Sequence, residues 1–364
     1  MAGNRGRDKN RISVLIGEDS PFMRRMIADS LETAPDIEVA GTAANGREVL
    51  RKLVELKPDC VTLDLEMPRM DGLETLRYIM SEWPTPVVIL SGHTADGARM
   101  ALTCLEYGAV DFIAKTMNGS RFPVDELISK VRMAAGVDAG KVRFAPSAFD
   151  LKVARPPATG KRVDSMVIIG ASTGGPQAVM EVIPGIPADL DAGVLLIQHM
   201  PPNFTKYLAE RLDARSSIAV KEAEEGDLLV PGQVLVAPGG MHLLIEEEMG
   251  RPRIMLLPRN ELQRSACPCI DFALTSAAPI FRKNLVGVIM TGMGRDGTAG
   301  SVAVRKYGGR VLCQDSETSM IFGMPGAVVA EGLAGEVVPL GDIASRIVEH
   351  VNGRIPAGAD YENQ

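Results

Sequence analysis

Ser172 stands in Gly170-Ala171-Ser172-Thr173-Gly174-Gly175, a glycine-rich run that follows the apolar stretch Ser165–Ile169 and opens a helical pattern near Gln177. The run satisfies G-x-S-x-G, in which glycines permit the sharp strand-to-helix turn that lifts a serine above a sheet. The N–H groups at such a helix start are donors for a developing oxyanion. Taken alone, the run also reads as a phosphate cradle or as a serine that merely caps the helix. His199, in Gln198-His199-Met200-Pro201-Pro202, ends the next apolar run, Val194–Ile197. The chain has four histidines. His93 belongs to the first half, His242 to a hairpin-like segment and His350 to the last helix, so only His199 shares a sheet edge with the serine. Asp296 follows the run Val286–Met290 in Thr291-Gly292-Met293-Gly294-Arg295-Asp296-Gly297. Those glycines let the carboxylate fold back toward an imidazole, although Asp-Gly is more commonly just a turn. Together the three side chains supply a nucleophile, a general base and an orienting carboxylate from three strand ends. The chain order Ser…His…Asp departs from the Ser…Asp…His of α/β-hydrolases, so the motif does not imply a lipase-like fold.

A second constellation lies in the first half. Glu18-Asp19 follow one strand-like run, Asp64 ends another, Ser91 a third and Lys115 a fourth. Ligands of open parallel sheets sit beyond the carboxyl ends of the strands. Three carboxylates there repel one another unless a hard dication joins them, and Mg²⁺ takes a few protein oxygens while keeping waters. Such a metal polarises an incoming phosphoryl group, to which Lys115 offers a point charge and Ser91 a hydroxyl donor. Each residue alone reads as a helix cap or a solvated charge. Their placement at the ends of four different strands, in order, is what points to a site.

These residues need two scaffolds. In the first half, strand-like Arg11–Gly17, Ile37–Ala40, Cys60–Leu65, Val87–Leu90 and Asp111–Ile113 alternate with helical patterns over Pro21–Thr33, Gly46–Leu56, Leu73–Glu82, Arg99–Tyr107 and Val124–Ala135. That alternation predicts a doubly wound parallel sheet. From Val137 to Asp164 the periodicity lapses into a Pro- and charge-containing linker. The second half restarts with buried strands at Ser165–Ile169, Val194–Ile197 and Val286–Met290. Gln233–Ala237 and His242–Ile245 flank Pro238-Gly239-Gly240 as a hairpin would. The expected domains are 11–136 and 165–353, joined by a linker over 137–164, and the fold class is α/β with two open sheets.

The 364 residues are 46% hydrophobic and 23% charged, ordinary values for globular domains. Aromatics are 4% and glycines number 37, which suits strand–turn–helix units better than an aromatic-rich sandwich. A net charge of −7 argues against nucleic-acid binding, and Arg5–Lys9 reads as a short frayed start. No apolar run reaches the roughly 18 residues of a membrane span, and the start lacks a signal-peptide pattern. Five cysteines without framework spacing, and a Cys267-Pro268-Cys269 too close for a zinc knuckle, lead to the expectation of a reduced, cytoplasmic protein.

Residues 11–135 resemble a response-regulator receiver, a flavodoxin-like (βα)5 domain. The resemblance makes Asp64 the phospho-accepting aspartate, Glu18 and Asp19 its acidic metal partners, and Ser91, Phe112 and Lys115 the switch residues. Thr116 stands where that family usually has proline. Residues 165–350 resemble the catalytic domain of the CheB chemotaxis methylesterases in GASTGG (170–175), QHMPP with Phe204-Thr205, VKEAEEGD (220–227), VLVAPGGMH (234–242), TGMGRDG (291–297) and FGMP (322–325). This implies a triad of Ser172, His199 and Asp296, with the Met293 amide in the oxyanion hole. Cys269 replaces a usual serine, and the expectation is that it alters loop packing without touching the triad.

The implied activity is hydrolysis of γ-glutamyl methyl esters on chemoreceptors and deamidation of receptor glutamines. The implied partners are those receptors and a histidine kinase of the chemotaxis type. Mg²⁺ would serve receiver phosphorylation alone, with no cofactor for hydrolysis. Phosphorylation of Asp64 is expected to draw in Ser91 and Lys115, to move Phe112 into the space Ser91 leaves, and to uncover Ser172. The same chemistry on a non-chemotaxis array is the alternative. A transcriptional regulator lacks its basic recognition helix here, and a nucleotide-binding adaptor lacks an acidic residue placed for a ribose.

Overall fold

A computed structural model describes residues 11–92, 94–115, 122–138, 162–259 and 266–353. The basic start, Thr116 and most of the expected linker lie outside the described residues. Chain contacts divide the molecule into two compact units, Met1–Pro146 and Ser147–Gln364.

The first unit runs β1 (Ile12–Gly17), α1 (Pro21–Leu31), β2 (Ile37–Ala43), α2 (Gly46–Leu56), β3 (Cys60–Asp64), α3 (Gly72–Glu82), β4 (Val87–Gly92), α4 (Ala95–Glu106), β5 (Asp111–Lys115) and α5 (Val124–Ala135). Its five parallel strands are ordered β2-β1-β3-β4-β5. Strands covered on both faces read as continuous apolar runs rather than alternations, and Val14–Ile16 and Val87–Leu90 are fully buried. Helix starts are marked by side-chain caps. Asn45 Oδ1 accepts from the Glu48 amide at 3.1 Å while Glu48 Oε2 accepts from the Ala44 amide at 3.1 Å, a reciprocal pairing that satisfies donors left over at the helix start. Asp71 and Thr94 cap α3 and α4 in the same way. The strand order reverses between β1 and β3, which opens a crevice at their carboxyl ends.

The second unit is built on β6 (Met166–Ala171), α6 (Gly175–Val182), β7 (Gly193–Gln198), α7 (Phe204–Arg215), β8 (Ala219–Glu222), β9 (Gln233–Val236), β10 (Met241–Glu248), β11 (Arg251–Pro258), α8 (Ile270–Phe281), β12 (Leu285–Ile289), α9 (Thr298–Lys306), β13 (Arg310–Gln314), α10 (Met324–Ala330), β14 (Glu336–Val338) and α11 (Ile343–Val351). Seven parallel strands are ordered β14-β13-β12-β6-β7-β9-β8. Ile168, Leu195, Ile197, Leu274, Ala277 and Ile289 sit in its core. Here the order reverses between β12 and β6, so the loops after those two strands diverge and leave the crevice between them.

The hairpin expected across Pro238-Gly239-Gly240 is not there. β9 is an inner strand of the parallel sheet, and the antiparallel pair is β10 with β11, from Met241↔Pro258 to Glu248↔Arg251. Val234–Val236 are buried on both faces, as an inner parallel strand requires. The true turn is Met249-Gly250, both at positive φ (50° and 74°), the two-residue geometry whose twist matches the strands. Methionine is a poor turn signal, which hid it. The helix expected near Gln177 begins at Gly175, and that expected from Arg99 begins at Ala95.

Candidate active site

β12, β6 and β7 are adjacent in that order, and the loop that follows each carries one of the residues singled out above. Gly174, at φ 73°, makes the reversal from β6 into α6; a Cβ there would lie 2.7 Å from Met320 Cβ. The turn carrying Ser172 is held on both sides. The Ser172 amide donates to Thr291 O at 3.0 Å and the Thr291 hydroxyl to Thr173 O at 3.0 Å. On the other side Gln198 Nε2 donates to Ser172 O at 2.8 Å and His199 O at 3.2 Å. Gly292 approaches so closely that a Cβ on it would sit 2.7 Å from Ser172 Cβ.

His199 Nε2 lies 2.8 Å from Asp296 Oδ2. The ring nitrogen not engaged by Asp296 is therefore Nδ1. Among the described residues no side-chain hydrogen bond joins Ser172 Oγ to the ring, so the serine is tied to the pair through backbone. Hydrogen bonds between a nucleophile and its base often tighten only when substrate is bound.

Asp296 is the most heavily bonded of the three. Oδ2 also accepts from the Ile270 amide at 2.8 Å, and Oδ1 from the Asp271 and Gly297 amides at 3.0 Å each. Burial works to raise its carboxyl, but the His199 bond and charge and the α8 amides outweigh it and hold the group at about 2. Cys269 Sγ is 3.4 Å from Asp296 Oδ1. The expectation that Cys269 does not touch the triad residues is thus corrected: its place ahead of the first turn of α8 puts the thiol on the carboxylate. Burial, then the charge of Asp296, pushes that thiol up to about 12, so it remains a donor.

Met293 is half exposed on the loop after β12. Gln198, Thr291 and Gln314, all at most 1% exposed, were not singled out for any role from sequence. Gln314 Oε1 accepts from the Thr291 amide at 2.8 Å, so the three form a polar frame behind the serine turn. Their signal was available: a lone polar residue closing an apolar strand needs a partner, and here the partner is the neighbouring turn.

In the first unit Glu18, Asp19 and Asp64 present oxygens within 4.8 Å of one another. Lys115 Nζ lies 2.7 Å from both Glu18 Oε2 and Asp64 Oδ1. Burial raises the Glu18 carboxyl to about 7 against the pull of Lys115. An all-oxygen, partly open donor set of this kind fits a hard dication such as Mg²⁺. Ser91 is buried and its hydroxyl donates to Gly97 O at 2.8 Å. Phe112 is buried, with Lys130 Nζ 5.3 Å from its ring centre.

The fold and its crevices define a receiver-type unit followed by an α/β unit with a serine, a histidine–aspartate pair and an amide frame at one sheet edge. The CheB methylesterase profile matches residues 167–347 and the response regulator receiver profile residues 14–126. The chain is 41% identical over 345 residues to the protein-glutamate methylesterase/protein-glutamine glutaminase of Thermotoga maritima, covering 93% of this chain and 98% of that one. It is 45% identical over 355 residues to the protein of the same name in Symbiobacterium thermophilum, covering 93% and 97%. A crystal structure of the T. maritima CheB methylesterase catalytic domain, 43% identical, covers 51% of this chain and 97% of that chain at a TM-score of 0.49. The chain belongs to the receiver-linked CheB methylesterase family. Among the described residues no helix is long and apolar enough to cross a membrane.

Proposed function

We propose that this chain is a phosphorylation-activated hydrolase that demethylates γ-glutamyl methyl esters of chemoreceptors and deamidates receptor glutamines. The observation that carries the reading is the His199–Asp296 pair at 2.8 Å beside a Ser172 turn clamped from both neighbouring strands. Ser172 Oγ attacks the carbonyl and His199 Nδ1 takes its proton. Asp296 holds the Nε2–H tautomer and balances the imidazolium that forms. The Met293 amide faces the oxyanion, where one donor is worth about 2.7–4 kcal/mol. Collapse expels methanol or ammonia with the proton returned by His199. Water, deprotonated by the same ring, then releases glutamate and Ser172.

In the receiver, Glu18, Asp19 and Asp64 would hold Mg²⁺, which when bound offsets negative charge around a phosphoryl group. Asp64 accepts that group from a histidine kinase of the chemotaxis type, so that a phosphoryl group of roughly −1.5 to −2 charge replaces the single negative charge of the free carboxylate. Lys115 then exchanges its two carboxylates for the phosphoryl oxygens, and Ser91 turns from Gly97 O toward them. The Ser91 rotation and the Lys115 exchange are then followed by movement of Phe112 into the space that Ser91 leaves.

A fluorophosphonate probe with peptide mapping tests the nucleophile, and label on any residue but Ser172 refutes it. Methyl release should rise when a small-molecule phosphodonor and Mg²⁺ are added, and should not rise in Asp64→Ala. A chain starting near Asp164 should be active without the donor; a rate below that of the unphosphorylated full chain would refute restraint by the receiver.

A further inference from the structure

Asp271 is not among the triad residues, yet it bonds both to Asp296 and to the start of the helix that follows it. It is the second residue of α8, and its backbone amide donates to Asp296 Oδ1 at 3.0 Å. Its own carboxylate turns toward the start of α9, where Oδ1 accepts from the Gly297 amide at 2.9 Å and the Gly300 amide at 2.7 Å. The two aspartates therefore exchange helix ends. Asp296, just ahead of α9, occupies the N-terminus of α8, and Asp271, at the start of α8, occupies that of α9.

The exchange has a mechanical consequence. Gly297 follows Asp296 directly and sits at positive φ (96°), so the chain there reverses sharply, with no side chain of its own and Ile289 where a Cβ would point. A Cβ on Gly300 would come within 2.6 Å of Leu274 Cβ, so α8 and α9 approach closely. The pair of amides held by Asp271 then fixes the turn from which the Asp296 side chain springs, alongside the Ile270, Asp271 and Gly297 amides that bind the carboxylate itself. Loss of that acceptor loosens the turn, and Asp296 Oδ2, although the Ile270 amide still binds it, then meets His199 Nε2 from a shifted backbone. Burial, and then the nearby Asp296 charge, raises the Asp271 carboxyl to about 6 against the pull of the Gly300 and Gly297 amides, which leaves it an ionised acceptor at neutral pH.

We infer that Asp271 is a positioning residue for ester hydrolysis, acting through Gly297 and Gly300 to hold Asp296 on His199. The inference rests on the proposed Ser172–His199–Asp296 reading and adds to it a residue that touches neither substrate nor the reacting atoms. Misplacements of about 1 Å around a reacting group cost on the order of 100-fold in rate.

The test uses the full-length protein and counts competent sites by fluorophosphonate titration. Methyl release is then expressed per labelled site for wild type, Asp271→Ala, Asp271→Asn and Asp271→Glu. Asp271→Ala should lose about 10–100-fold in kcat per site with KM little changed. Asp271→Asn, which keeps an acceptor oxygen in place, should recover most of it. Asp271→Glu keeps the charge but moves the acceptor by one methylene and should resemble Ala. A purely structural role would lower the fraction of labelled sites while leaving kcat per site at the wild-type value, and that result overturns the inference. If Asp271→Ala does not fold, Asn against Glu decides it, and equal rates per site for those two also overturn it. Wild-type enzyme that fails to label at Ser172 would remove the triad reading and this inference with it. Labelled wild type with insensitive Asp271 variants removes the inference alone.

Discussion

Cys269 Sγ donates to Asp296 Oδ1 across 3.4 Å, at the position where the family resemblance leads one to expect a serine hydroxyl. A thiol is the weaker donor of the two, and hydrogen bonds to a carboxylate shorten and strengthen when the donor is O–H. Asp296 has three backbone amides and His199 besides, so the thiol supplements an acceptor already held.

Replacing that thiol should therefore have graded effects. Cys269→Ser should keep kcat within about 3-fold of wild type, while Cys269→Ala should lower it by about 3–10-fold, in line with the roughly 0.5–1.5 kcal/mol of one hydrogen bond. The measurement is steady-state methyl release at saturating receptor. A Cys269→Ala enzyme as fast as wild type would show that the contact does nothing for catalysis.

Gln198 joins the nucleophile turn to the base turn through one amide nitrogen. Gln198→Leu keeps the volume but leaves the Ser172 and His199 carbonyls without that donor. Stability should fall by about 1–3 kcal/mol, and labelling of Ser172 by fluorophosphonate should slow by at least about 10-fold. Urea titration and labelling kinetics on the same protein check both, and unchanged labelling would show that the two turns hold their positions without it.

Much of this site could be read from the chain before any coordinates. The strand-end positions of Ser172, His199 and Asp296 followed from three apolar runs, because a buried parallel strand leaves a continuous apolar signature. The acidic cluster followed for the same reason. What could not be read was the partnering of side chains with backbone. Nothing in Cys-Pro-Cys-Ile-Asp announces that its second cysteine and its aspartate bracket Asp296, since the contact joins segments 25 residues apart. The hairpin was misplaced because two glycines after β9 look like a turn, whereas the real turn places a methionine at positive φ. The burial of Phe112 depends on packing against α5, which periodicity does not report.

Asp271 and Asp296 should give stability a distinctive pH dependence. Burial and the neighbouring charge raise Asp271 from 3.8 to about 6, so the folded chain keeps a proton there that the unfolded chain has released. Its contribution is present below the ordinary value and is lost as pH rises through that window. Asp296, held at about 2, contributes in the opposite sense, and its share is lost as pH falls below 3.8. Asp271→Asn is neutral throughout, so its stability relative to wild type should improve as pH rises from about 4 to about 6. Chemical denaturation of both proteins across that range measures it. A constant difference would contradict the raised Asp271 carboxyl.

The receiver makes a prediction in which binding and switching move apart. Glu18→Gln and Asp64→Asn should each weaken Mg²⁺ binding by about 10-fold or more, because a hard cation loses a charged oxygen. Lys115→Ala removes the ammonium that lies 2.7 Å from both carboxylates. It should tighten Mg²⁺, since two carboxylates are left without their counter-charge, and yet abolish stimulation by a phosphodonor. Calorimetric Mg²⁺ titration beside methyl release tests the pair, and a Lys115→Ala protein that binds Mg²⁺ more weakly than wild type would count against this arrangement.

The most direct test of the central claim is release of labelled methanol from receptor membranes carrying radiolabelled glutamyl methyl esters, with wild type and Ser172→Ala compared at equal folded concentration. Wild type should release methanol, and release should increase with a phosphodonor. Ser172→Ala should lose turnover to roughly the residual level, near 10⁻⁶ of wild-type kcat, typical of serine hydrolases without their nucleophile, while unfolding at the same urea concentration. Substantial methanol release by folded Ser172→Ala would contradict the assignment of Ser172 as nucleophile and, with it, the Ser172–His199–Asp296 mechanism.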